Sequence, residues 1–158
     1  MVGHCLSIVS SLHRATSRDY LHRMNDEKVV CMRLAKEYGH DYWDGDRRYG
    51  YGGYSYIPGR WQPVAQALID SYSLRSGSKV LDIGCGKGYL LHEMNLLVPD
   101  LEICGFDISE YSFSHAKKEI QPFIFKHKAQ DRLPFEDKEF DLVISLATFH
   151  NLRLFDLQ

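Results

Sequence analysis

Apolar and polar positions alternate between two periods along this chain, and the change of period marks the elements. Residues 1–17 follow neither period. From Asp19 to Tyr38 the positions Leu21, Met24, Cys31, Leu34, Ala35 and Tyr38 recur at helical spacing, with Ser17 or Asp19 to cap the start and Gly39 to end it. Trp61, Val64, Ala65, Leu68, Ile69 and Tyr72 make one face of a second helix, with Pro63 in its first turn. Beyond Gly77 the apolar runs shorten to strand length. Strands are expected at Lys79–Ile83, Glu102–Phe106, Phe123–Phe125 and Phe140–Ala147. Helices are expected between them, from Gly88 to Leu97 with Leu90, Leu91, Met94 and Leu97 inward, and from Glu110 to Ile120 with Ser109 as its N-cap. Strands alternating with helices predict βαβ units, hence a parallel sheet reached by right-handed crossovers.

Between the first two helices the periodicity vanishes. Tyr38 to Trp61 holds six tyrosines, two tryptophans and six glycines, which predicts loops dressed with amphipathic rings. The chain therefore divides into an N-terminal helical and aromatic-rich extension, residues 1–73, and an α/β part, residues 74–158. Tyr49, Tyr51, Tyr54 and Tyr56 are candidates for a lid over whatever site the α/β part builds. A plain aromatic shell packed on the sheet is the competing expectation.

Composition removes some classes of function. A net charge of −2 provides no global basic field for nucleic acid. No apolar run approaches the roughly 20 residues needed to span a bilayer. The four cysteines, Cys5, Cys31, Cys85 and Cys104, form no C-x-x-C pair, so neither a zinc site nor a disulfide framework is expected. A soluble cytoplasmic protein with no metal, no membrane and no nucleic-acid partner is the expectation.

The chemistry concentrates at VLDIGCGKG, Val80–Gly88. An apolar strand runs into Asp82 and then into Gly84, Gly86 and Gly88, where backbone without Cβ atoms can approach a ligand. Nineteen residues past Gly88, the run EICGFD ends in Asp107. A glycine-rich turn followed by a carboxylate at the end of the next strand points to a nucleoside-containing cofactor. A dinucleotide dehydrogenase would place its third glycine where this chain has Tyr89.

Three stretches, VLDIGCGKGYLL, GFDIS and RLPFEDKEFDLVIS, resemble in order and spacing the class I S-adenosylmethionine-dependent methyltransferases. The resemblance implies a Rossmann-like parallel sheet flanked by helices. It also implies S-adenosylmethionine as cofactor and transfer of its methyl group to an acceptor, a small molecule by default. Residue by residue, it implies that Asp82 lies near the methionine ammonium and that Gly84, Gly86 and Gly88 pass close to the cofactor. Asp107 would accept from both ribose hydroxyls, with Ile108 against the adenine. The plainer readings are that Asp82 caps the turn, the glycines only shape it, Asp107 charges a helix start and Ile108 is core. Many members of the family carry an aspartate four residues before Leu-Pro-Phe; here that position is Ala129, and Gln130 or Asp131 is the substitute. Asp131 serves equally well as a solvated loop charge. His150, just past the fourth strand, is the candidate to orient the acceptor or to act as general base.

The family's sheet runs 3-2-1-4-5-7-6, whereas this chain supplies strands for 3-2-1-4. An incomplete sheet is therefore expected, truncated after the fourth strand, whose bare edge pairs with a second copy in a homodimer or is covered by Asn151–Gln158. A degenerate, non-catalytic module used for binding or assembly is the alternative function.

Overall fold

The computed structural model describes residues 6–10, 12, 21 and 26–157. Helix α1 spans Lys28–Ala35 and a single turn, α2, spans His40–Trp43. Most of the expected first half of the Asp19–Tyr38 helix lies outside the described residues. Helix α3, Gln62–Tyr72, buries Val64, Ala65, Leu68 and Ile69 of the face that its spacing predicts, whereas Tyr72 at its end is exposed. Strand β1, Lys79–Ile83, is followed by α4, Tyr89–Leu97, then β2, Glu102–Asp107, and α5, Glu110–Ser114. Strands β3, Ile124–Lys126, and β4, Leu142–Ile144, complete the sheet.

The four strands lie in the order β3-β2-β1-β4, all parallel. Asp82 at the centre is in register with Gly105 of β2 and Ile144 of β4. The pleat sends alternate side chains to opposite faces. Val80 joins α3 and α4 in the larger core with Ile103, Ile120, Leu142 and Ile144. Leu81, Ile83 and Phe106 pack the other face against Phe125, Leu133, Phe135 and Phe140. Both faces are covered, as a parallel sheet requires.

Two elements stop early for local reasons. The helix expected to reach Ile120 ends at Ser114. Ser109 caps its start, its Oγ accepting from Ser112 N at 3.0 Å, but Ser112 and Ser114 donate their hydroxyls to the carbonyls of Ser109 and Tyr111. Such back-bonding competes with helix continuation. The fourth strand, expected over Phe140–Ala147, is regular only over Leu142–Ile144. Beyond it Ser145 Oγ and Thr148 Oγ1 both donate to the Ile83 carbonyl, and Ala147 adopts φ 59°. That left-handed turn folds the chain over the end of β1.

Candidate functional site

A cavity of about 340 Å³ opens where β1, β2 and β4 end. Ligands bind at this end of open α/β sheets because strand ends and helix starts diverge there. Gly84, Asp107, Ile108, His127, Ala129 and Gln130 form one wall, and Thr148, Asn151 and Leu152 a second. Tyr38, Tyr42, Trp43 and Tyr51 of the aromatic segment close the third side.

Asp107 is the best-placed carboxylate. One of its oxygens accepts from Gly86 N at 2.9 Å and the other from Ser109 N at 2.8 Å. Burial pushes its carboxyl above the usual range, while the backbone donors of Ser109 and Gly86 pull the other way by holding the charged form. Asp82 is buried behind the turn, 4% exposed, and is not on the cavity wall. Burial, and then the charge of Asp107, raise its carboxyl to about 7. Two carboxylates that resist charging in each other's company favour a cationic ligand.

The three glycines serve different neighbours. Gly84 lies on the wall, and Thr148 fills the space a Cβ would take, its Oγ1 only 2.0 Å from that position. Gly86 lies under the Trp43 ring and Gly88 against Ile120, where a Cβ would come within 2.8 and 2.5 Å of side-chain carbons. Only Gly84 borders the cavity. The space a side chain would take is filled by protein at all three glycines, by Thr148, Trp43 and Ile120 in turn. Ile108 and Gln130 line the cavity, whereas Asp131 is exposed and off its wall. His150 is also exposed and off the wall, on a 3-10 turn, Phe149–Asn151, at the rim. Burial drives the Cys85 thiol well up, so it is no ready nucleophile.

Two features carry no sequence signal. His127 stands on the cavity wall. Lys87, within the glycine turn, is the second. Its ammonium is buried and donates to both Asp44 carboxylate oxygens at 2.9 and 2.7 Å and to Tyr54 O at 2.8 Å. Tyr111 Oη and Tyr54 N donate to the same carboxylate. Asp44 thereby ties the aromatic segment to the glycine turn and to α5. Glu93 of α4 adds a second tie by accepting from Tyr56 Oη and Gly59 N. Trp43, held by hydrogen bonds from Nε1 to Ser109 Oγ and Tyr38 O, stacks on Tyr51 at 5.2 Å over the turn. The segment is an aromatic shell packed on the domain, with some of its rings on the cavity wall. Trp43 and Tyr51 face the cavity, while Tyr54 and Tyr56 pack on Tyr89 of α4.

Comparison with known proteins decides the family. A family model described as a methyltransferase domain matches residues 74–157, just over half of the chain. The chain belongs to this family. The parallel 3-2-1-4 sheet is that of a Rossmann-like fold. A malonyl-[acyl-carrier protein] O-methyltransferase of Bacillus anthracis is 32% identical over 92 residues, covering 54% of this chain and 34% of that protein. A 27-O-demethylrifamycin SV methyltransferase of Amycolatopsis mediterranei is 27% identical over 119 residues, covering 72% of this chain and 41% of the relative. A ribosomal RNA small subunit methyltransferase C of Buchnera aphidicola is 32% identical over 89 residues, covering 55% and 26% of the two chains. The domain spans about a third of the length of the curated relatives it matches. A solved structure from Methanococcus maripaludis shares the fold at TM-score 0.52 and 22% identity, over 59% of this chain and 44% of that one. No described helix is long and apolar enough to cross a membrane.

Proposed function

We propose that this methyltransferase domain binds S-adenosylmethionine in the cavity at the strand ends and supports methyl transfer to a small-molecule acceptor. The observation that carries the reading is Asp107, a carboxylate on the cavity wall pinned by two backbone donors with Ile108 beside it. Each of its oxygens keeps acceptor capacity beyond the bond it already receives, which suits two neighbouring ribose hydroxyls. Asp82 contributes charge from behind the turn, and with Asp107 it favours the cationic methionine end. Gly84 stands on the wall with the Thr148 side chain packed against it, and Ile108 offers an apolar surface to the base. Gln130 stands on the same wall, whereas Asp131 faces solvent and takes the part of a loop charge. When bound, S-adenosylmethionine supplies an activated methyl group. The protein's task is then to hold an acceptor in line and keep water out, which can account for much of the rate without a general base. Trp43 and Tyr51 cover the glycine turn and suit a sulfonium through cation–π attraction. His150, on the rim, is positioned to orient an acceptor at the mouth rather than to take a proton inside.

The acceptor reading rests on a cavity of small-molecule size, on the acidic balance of the chain and on relatives named for malonyl-acyl-carrier and rifamycin substrates. We extend the proposal to a homodimer. Among the described residues β4 pairs only with β1, and Val143 on it is 53% exposed. A light-scattering mass of one chain at high protein concentration counts against that pairing. Calorimetry with S-adenosylmethionine and its demethylated product tests the main reading. The intact chain is expected to bind both, and Asp107→Ala to weaken both about 100-fold through loss of charge-assisted hydrogen bonds. Absence of binding by the intact chain refutes the reading.

A further inference from the structure

We propose that the aromatic segment, residues 38–61, is a strap that shuts the amino-acid end of the cofactor site and lifts to admit S-adenosylmethionine, an inference that rests on the cofactor reading above. The cavity reaches Gly84 and Asp107 but neither Gly86 nor Asp82. What fills the space beside the glycine turn differs along it. Gly84 is met by Thr148, from the turn after β4, and Gly88 by Ile120, a fully buried core side chain. At Gly86 the filler is the Trp43 indole, whose Cη2 lies 2.8 Å from where a Cβ would be. Trp43 belongs to the aromatic segment and not to the α/β half. Burial, then the charges of Tyr51, Tyr89 and Asp82, raise the phenol of Tyr54, which places a second ring of the segment beside the buried carboxylate. A ligand whose cationic end is drawn to the two carboxylates cannot pass along Gly86 while Trp43 lies on it.

The segment is put together to move as a unit. Tyr42 stands edge-to-face on Trp43 and Tyr51 at 5.1 and 5.4 Å, and Tyr51 meets Tyr54 at 4.6 Å. Tyr51 N donates to Tyr42 O at 2.8 Å and Gly53 N to Trp43 O at 3.1 Å, so the backbone also closes on itself. Glycines mark its two ends. A Cβ at Gly39 would meet nothing within 4 Å, and Gly59 adopts φ 74° with only the end of the Gln62 side chain nearby. Polar bonds hold the strap to the domain: Asp44 to Lys87 and Tyr111, Tyr56 and Gly59 to Glu93, and Trp43 to Ser109. Such bonds exchange for bonds to water when a segment lifts, so each costs little net to open. Segments held this way open locally, below the free energy of global unfolding. Lifting also exposes Trp43, now 5% exposed, which keeps the strap shut until a ligand arrives. Among the ties the Lys87–Asp44 ion pair is the latch, since its bonds are charge-assisted and Lys87 follows Gly86 in the turn itself. Once the ligand is in, the rings close over it, with Trp43 and Tyr51 toward the sulfonium.

The test is stopped-flow fluorescence of Trp43 in a Trp61→Phe chain with two probes, S-adenosylmethionine and 5′-methylthioadenosine, which has the nucleoside but neither the sulfonium nor the amino acid. The nucleoside fits the cavity as it stands, so its observed rate is expected to rise in proportion to concentration. With S-adenosylmethionine the rate is expected to level off at the rate of lifting. Lys87→Met releases the latch. It is expected to raise that ceiling about tenfold, to leave the 5′-methylthioadenosine rate unchanged, and to speed hydrogen exchange in residues 38–61 more than in β1 and β2. The strap is overturned if the S-adenosylmethionine rate rises in proportion like that of the nucleoside, or if Lys87→Met leaves the ceiling where it was. A chain that binds 5′-methylthioadenosine alone supports the strap if Lys87→Met gains S-adenosylmethionine binding, and overturns it if the variant does not. An intact chain that binds neither probe overturns the cofactor reading, and the strap with it. If Lys87→Met does not fold, Asp44→Asn carries the same criterion from the other side of the latch.

Discussion

Asp82→Asn offers a direct test of the electrostatics at the heart of the domain. Asp82 sits in the middle of β1 with strands on both sides, 4% exposed, and burial and then Asp107 lift its carboxyl from 3.8 to about 7. In the unfolded chain it titrates near ~4. Between those values the folded protein holds a proton that the unfolded chain has released, so stability falls as pH rises through that window. The gap is about 3 pH units, and at about 1.4 kcal/mol per unit the buried charge costs about 4 kcal/mol once fully formed. That is a large share of the ~5–15 kcal/mol by which domains are stable. An asparagine cannot ionise. The variant is therefore expected to match the parent near pH 4.5 and to exceed it by about 4 kcal/mol at pH 8. Urea unfolding followed by circular dichroism across that range measures the difference. The gain should come with weaker binding of S-adenosylmethionine, since the same charge serves the cationic ligand. Stability curves that stay parallel across the whole pH range refute the reasoning, because they mean Asp82 titrates alike in both states.

Gly88 adopts φ 68° and a Cβ there would meet Ile120 Cγ2 at 2.5 Å. Gly88→Ala is expected to cost about 2–3 kcal/mol, and Ile120→Val in the same chain to recover part of it, as read from denaturation midpoints. Lys87→Met leaves the Asp44 carboxylate with neutral partners only, and is expected to cost about 2 kcal/mol. Asp44→Asn in the Lys87→Met background should cost much less than it does alone, a coupling that a double-mutant cycle measures. Trp43 covers the glycine turn. In a Trp61→Phe chain its fluorescence is expected to change on titration with S-adenosylmethionine, and an unaltered spectrum at saturation counts against its role in the lid.

The α/β half was legible because its signals are local. The strand at Lys79–Ile83 has the predicted bounds, and α4 buries Leu90, Leu91 and Met94 as their spacing requires. Ser109 caps its helix through a bond three residues away, and the strand order is the one the family resemblance implies. Boundaries shifted where side chains competed with the backbone, as Ser112 and Ser114 do in α5. The tyrosine-rich segment, with no periodicity, was legible only as a composition. Its attachment depends on Lys87, Asp44 and Glu93, charged residues with partners 33 to 67 positions away.

The sequence by itself determined the parallel sheet, the glycine turn and the carboxylate at the end of β2. Each follows from apolar periodicity and turn chemistry within a dozen or two residues. Tertiary structure alone decided what fills the space beside each glycine, since Trp43, Ile120 and Thr148 reach Gly86, Gly88 and Gly84 from distant parts of the chain. It also decided that His127 stands in the cavity wall. Burial and the partner of a polar atom are properties of the packed chain, and no local pattern carries them.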